Sequence, residues 1–455
     1  MLKYMKPIEK SFTHSKEMKI LLSSFFLLIS SIGVVGAEAT QWISGWQQTS
    51  AMNSVRAGAA LVKIRNRVYM LGGIDGQSFL DSTEFSEIQA DGSMGSWQLS
   101  TSLKEQRGFF GAVAKDNFIY VVGGGNGPNG KHLLNTVERV RVQKDGSLGV
   151  WKKETQKLNY PRRCVKLVID KNRIYALGGF GGTLLDSVES AQINIDGSLS
   201  KWRIENKTMT LPRYVNAVKK AAGNIYVIGG HRESEGVGIA DVEYARLDSL
   251  GNIVSWQSTS SLQLGRYAVS AATRGDKIYA LGGLDGAIYV DKIEMSTILE
   301  DGSLSTWRNT TSLSSPRANF SSFVHNHRLY ILGGTNRDGY YDRVEVADLN
   351  DKGEPGFWGD AQQSKAYYQF QAENKVRKQL PNSGTIVEII QTKAYSYIKV
   401  RGEAGNRWLA APRANYSTNE KVDYSRGLTM SNFYSRSLQR QFDEILFVER
   451  VEKKI

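Results

Sequence analysis

The chain has 455 residues, 41% of them hydrophobic, with 58 Lys+Arg against 45 Asp+Glu and a formal charge of +13. Such a length and apolar content can bury a large core and point to more than one domain. A single cysteine, Cys164, excludes an intrachain disulfide framework, and five scattered histidines form no zinc constellation. The basic balance favours anionic partners without choosing among nucleic acid, lipid headgroups and acidic sugars.

At the start, Lys3, Lys6, Lys10, Lys16 and Lys19 precede an uncharged run from Ile20 to Val35, followed by Ala37-Glu38-Ala39 in the small-x-small form of a cleavage site. The run is shorter than the roughly 20 residues that span a bilayer. Residues 1–39 therefore read as a cleaved export signal, with Met18 as an alternative start. The expected destination is the periplasm or the cell exterior, with no stable membrane anchor after cleavage.

A beat then sets in. Trp46, Trp97, Trp151, Trp202, Trp256, Trp307 and Trp358 recur about every fifty residues, a period that marks arrays of four-stranded propeller blades. Glycine pairs at Gly72, Gly123, Gly178, Gly229, Gly282 and Gly333 keep the same time, each behind a run ending Tyr-x-hydrophobic. In the third unit, strands are expected from Cys164, Arg173, Ser187 and Lys201, separated by turn residues. Asp-Gly links at Asp91, Asp145, Asp196 and Asp301 are strong hairpin signals between third and fourth strands. The expected fold is all-β, a six-bladed propeller over residues 40–358. Trp46 and Trp358 compete for the outermost strand of the last blade, and Trp46 is preferred.

Glycine pair, preceding Tyr and following Trp at this spacing resemble the kelch repeat across roughly residues 46–358. Kelch propellers include cytoskeletal and ubiquitin-ligase adaptors, a copper oxidase and a periplasmic sialic-acid mutarotase, so the resemblance implies a fold and leaves function open. The Asp-Gly-Ser-Leu turn departs from the eukaryotic pattern and looks bacterial. Sialidase Asp-boxes do not fit, because Asp and Gly are adjacent here. The copper oxidase needs a cysteine-modified tyrosine, whereas Cys164 reads as a buried inert thiol.

Strand parity places two features on one face: the loop entering each first strand and the loop joining second to third. The entry loops carry Arg56, Arg107, Arg162, Arg213, Arg266 and Arg317. Surrounding the channel mouth, these guanidinium groups would grip a carboxylate; alternatively they pair with the recurring Glu84, Glu138, Glu189, Glu243, Glu294 and Glu345 of a neighbouring blade and lock the sheets. Arg107, Arg162, Arg213 and Arg266 are kept as ligand candidates. Blade-specific loop residues join them: Lys131, His132, His231, Arg232, Glu233, Arg337, Asp338 and Tyr340. No metal or cofactor is expected.

Beyond Trp358, residues 359–383 read as a polar linker. Residues 384–455 hold five β-like runs that suit a small Greek-key barrel. WLAAP at Trp408 and MSNFYSRSLQRQFDEILFV at Met430 resemble OB-fold modules of exported bacterial proteins. That resemblance implies a nucleic-acid or other polyanion surface of aromatics beside cations, with Tyr395, Tyr397, Trp408, Tyr434, Arg436 and Arg440 as candidates. A Cu(I) role for Met430 and Trp408 lacks a second methionine, Leu428 standing there, and any histidine after His327. The expected function is an exported, non-enzymatic recognition scaffold: the propeller binds a protein or carbohydrate, and the barrel an anionic or protein partner. The alternatives are a carbohydrate-active enzyme like the mutarotase, built on His231, Arg232 and Glu233, and nucleic-acid binding through the barrel.

Overall fold

The computed structural model describes residues 40–232, 237–377, 380–392, 395–403, 405–425, 427–435, 438–448 and 450–454. The expected export signal and the candidates Glu233 and Arg436 lie outside them. Six antiparallel sheets stand around one axis. Blade 1 runs Ala60–Ile64, Arg67–Leu71, Thr83–Glu87 and Gln98–Ser100, and blades 2 to 5 repeat that order. The first strands abut in succession and close the ring where Ser321–His325 of blade 6 meets Ala60–Ile64.

Each sheet buries both faces against its neighbours, which is why no blade is stable alone. Val168, Tyr175 and Leu177 of blade 3, for example, share one cluster with Val218, Ile225 and Val227 of blade 4. The periodic residues are the couplings. Indole N–H groups of Trp46, Trp97, Trp151 and Trp307 donate to the carbonyls of Ser312, Ser50, Thr101 and Ser260, each beside the outer strand of the preceding blade. Second-strand tyrosines reach the other way: Tyr69, Tyr120, Tyr226, Tyr279 and Tyr330 donate to carbonyls of Gly146, Gly197, Gly302, Gly353 and Gly92, in the hairpin turn of the next blade. Those turns need their glycine, since Gly146 has φ +82.

Closure uses both ends of the ring. Gln47–Thr49 pairs with Val344–Val346, while Pro355–Gly359 pairs with Asp348–Leu349 and then with Gln41–Ile43. The two candidates for the outer position divide it, so the expected competition between them does not arise. Trp46 is the anchor, 5% exposed against 61% for Trp358.

The expected linker is instead a helix, Ala361–Arg377. Asp360 and Gln363 cap it reciprocally, the Gln363 N–H donating to the Asp360 carboxylate at 2.7 Å and the Asp360 N–H to the Gln363 side chain at 3.1 Å. The tail then forms a seven-stranded mixed sheet rather than five strands, with Gly405–Pro412 parallel to Arg440–Val448. The additions are Gly427–Ser435 and Val451–Lys453, both at sheet edges.

Candidate functional site

The arginine before each first strand ends inside the ring. Arg56, Arg107, Arg162, Arg213, Arg266 and Arg317 meet Glu84, Glu138, Glu189, Glu243, Glu294 and Glu345 at 2.5 to 2.9 Å, and every one of these side chains is buried. The partner is a correction to the neighbouring-blade expectation. Each glutamate lies on the third strand of the same blade that its arginine precedes. The backbone makes the crossing, because the second glycine of each pair donates its N–H to the arginine carbonyl of the next blade, as Gly124 does to Arg162 at 2.8 Å and Gly334 to Arg56 at 2.7 Å.

Arg162 shows how the two terminal nitrogens of the group are used. Its guanidinium donates to the carbonyls of Gly178 and Ser187, to the Ser187 hydroxyl and to Glu189, and burial lowers its pKa against the pull of that carboxylate. The ligand-gripping role expected of Arg107, Arg162, Arg213 and Arg266 is therefore corrected: a guanidinium enclosed among its own blade's acceptors has no face to offer a ligand.

The blade-specific candidates are spread around the loop face. Lys131 and His132 are exposed on blade 2, the imidazole Nδ1 2.7 Å from the Asn126 side-chain oxygen. His231 is half-buried between two tyrosines, 4.7 Å from the Tyr267 ring and 5.4 Å from Tyr214, with Arg232 exposed beside it. On blade 6, Asp338 is exposed, and Tyr340 packs over Gly76 of blade 1.

Arg337 has a role that its loop position did not suggest. It donates to the Phe447 carbonyl of the C-terminal sheet at 2.8 Å and to the Ala287 carbonyl of blade 5 at 3.2 Å. Ala287 in turn packs on the sheet's aromatic cluster, which holds Tyr395, Tyr397, Trp408, Phe433, Phe442 and Phe447. Burial raises the Tyr395 pKa to about 12, with the Ala287 backbone bonded to its hydroxyl. The C-terminal module thus sits on the loop face over blades 5 and 6.

Tyr397, 3% exposed and bonded to the Ser435 hydroxyl, belongs to that core and is not a stacking platform. Tyr434 is 53% exposed. Trp408 and Arg440 line a groove of about 820 Å³ with Arg407, Phe442, Asp443 and Glu444. The Arg440 guanidinium lies 4.7 Å over the Trp408 ring, and Lys399 is 5.8 Å from it. Carboxylates balance these cations, Glu388 at 3.4 Å from Arg440 and Glu444 at 3.5 Å from Arg407. Among the described residues no cluster of histidine, cysteine and carboxylates has the form of a metal site. Cys164 is a free, buried thiol whose pKa burial raises.

No family model matches the chain. It is 25% identical over 252 residues to Kelch repeat and BTB domain-containing protein 1 of horsepox virus, covering 55% of this chain and 41% of that protein. To Kelch-like protein 41b of Danio rerio it is 23% identical over 197 residues, covering 42% of this chain and 31% of the relative. The chain therefore matches less than half the length of these relatives. A solved structure titled Structure of YjhT superposes with a TM-score of 0.54 at 16% identity, over 69% of this chain and 99% of its own, a likeness of fold alone. Kelch-repeat relatives and a ring of six blades together support a kelch-type β-propeller.

Proposed function

We propose that the protein is an exported interaction scaffold, its propeller receiving a protein partner on the loop face beside an OB-like C-terminal module. The carrying observation is the fate of the repeated polar groups. Arginines, glutamates, tyrosines and tryptophans present in every blade are consumed in joining strands and blades, so recognition falls to what differs between blades: residues 125–136, 231–241 and 335–343. Kelch-named relatives favour a protein partner over other classes.

Photo-crosslinking residues placed at Lys131 and Arg232, and as controls at Ser147 and Ser303 in the opposite turns, test this in cells that express the full chain. A discrete protein adduct confined to the loop-face positions, and competed away by purified unlabelled chain, is the expected result. Equal labelling from both faces, or none, overturns it.

The surroundings of Trp408 favour one further role, contact with an anionic polymer, because Lys399, Arg407 and Arg440 gather around a half-buried indole. Titration with single-stranded DNA and with heparin at two salt concentrations decides it. Salt-sensitive binding lost in Trp408→Ala supports the role, and binding insensitive to that change removes it.

A further inference from the structure

The tryptophan beat has one member turned outward. Trp97, Trp151, Trp202 and Trp307 are buried in the ring, Trp256 is half-buried, and Trp46 fills the equivalent place in blade 6, whereas Trp358 stands 61% exposed. Its strand explains how. In Pro355–Gly359 the buried Phe357 meets the Tyr367 ring of the following helix at 5.5 Å, so alternation turns Trp358 to the opposite side. Ring closure does not require an indole there, because Trp46 already donates to the Ser312 carbonyl from that blade.

Trp358 is also not a lone apolar residue on a polar surface. Trp42 stands opposite it in the strand Gln41–Ile43, and the two rings meet edge to face at 5.4 Å. Trp42 lies over Gly356, where a Cβ would come within 2.5 Å of the indole, so the backbone itself makes room for the pair. Packing on Gly356 accounts for the first ring. It leaves the second in solvent, with the largest apolar side chain of the twenty offered to whatever lies beyond the rim of blade 6.

Chain order says what lies there. The uncharged run Ile20–Val35 ends seven residues before Trp42, a stretch that reaches at most about 25 Å. That run reads as the apolar part of an export signal, which enters a bilayer on the way out. The strand carrying Trp42 is thus the first described element after it, tethered closer to the membrane than any blade. Indoles favour the boundary between headgroups and acyl chains, since each has an apolar body and one N–H donor. Charge points the same way: a chain of formal charge +13 is drawn to phospholipid surfaces that carry anionic headgroups, whereas a second copy would bring like charge to like charge.

We infer that the Trp42–Trp358 face of blade 6 is a membrane-contact surface, its two indoles seated in the headgroup region of a phospholipid bilayer. The ring then stands on its rim, and the loops of residues 125–136 and 231–241 stay free for the partner proposed above. The inference shares only the export signal with that scaffold role. Its failure leaves the crosslinking test of the loop face untouched.

The full chain is made by cell-free synthesis in the presence of vesicles of phosphatidylcholine and phosphatidylglycerol in equal parts, so that residues 1–39 are kept. Contact is read by quenching of tryptophan fluorescence with lipid brominated at the top of the acyl chain. No tryptophan precedes Trp42, so the leader itself is silent. The wild type should be quenched, and Trp358→Ser, which removes one of the two seated indoles, should lose roughly half of the quench or more. Because Trp358 is exposed, the same change should leave the melt of the ring in place. Trp408→Phe, which alters a half-buried indole of the C-terminal module, should keep the full quench. An unquenched wild type, equal quench in wild type and Trp358→Ser, or a loss that follows Trp408→Phe instead overturns the inference. So does a lipid-free dimer of the wild type that Trp358→Ser dissolves, since that assigns the face to a second copy.

Discussion

Cutting one ion pair of the ring measures what the buried charges contribute. In Glu189→Leu the Arg162 guanidinium loses its carboxylate at 2.7 Å while remaining fully buried, and the Asn159 N–H loses its acceptor at 2.7 Å. An uncompensated buried charge costs about 3–5 kcal/mol. Arg162→Met strands the carboxylate instead and should cost about the same. The double variant Arg162→Met/Glu189→Leu removes both charges. It then loses the bonds to Gly178 and Ser187 and the Asn159 acceptor, at about 1 kcal/mol each, but strands no charge, so it should be more stable than either single variant. Urea denaturation of all four chains, read by tryptophan fluorescence, closes the cycle. Additive single effects, or single losses below about 1 kcal/mol, would refute the view that these arginines are structural.

Three further outcomes follow from the same geometry. Trp46→Ala should destabilise the ring by about 3–5 kcal/mol and Trp358→Ala by less than about 1 kcal/mol, because only the first is enclosed; equal shifts in midpoint would contradict the shared closure. Lys219, with a folded pKa of about 8 against 10.5, binds its proton less readily in the fold than in the unfolded chain. Its penalty is therefore complete below about pH 8 and lifts as pH rises towards 10.5, so wild-type stability should gain on Lys219→Val across that window, and parallel pH curves would rule this out. Arg337→Ala should free the C-terminal module, exposing the helix Ala361–Arg377 to limited proteolysis while the ring's melt holds; an unchanged cleavage pattern would show that the aromatic contact at Ala287 suffices.

The ring was legible because its signals are covalently simple and repeated. Tyrosine, tryptophan and Asp-Gly each mark one coupling, and repetition averages out the noise of any single blade. The Arg–Glu pairing was legible as one of two options, yet the choice of partner was not, since spacing along the chain does not say whether a side chain or a backbone crosses to the next sheet. The helix after the ring was missed although Asp360 and Gln363 form a capping box in plain view; its low apolar content resembled a linker. Gly427–Ser435 escaped because it is an edge strand that leaves Met430 and Tyr434 in solvent, which blurs the alternation a half-buried strand shows. The docking of Arg337 on Phe447 depends on where two separately folded parts meet, and nothing local encodes that.

Because Gln47–Thr49 finds its partner only in Val344–Val346, the earliest part of the ring to be synthesised is among the last to be satisfied. Until then the growing chain is an arc with a raw edge at each end, tempting to other unfinished chains. A cell making this protein gains by shielding that arc from its siblings until the final blade has emerged.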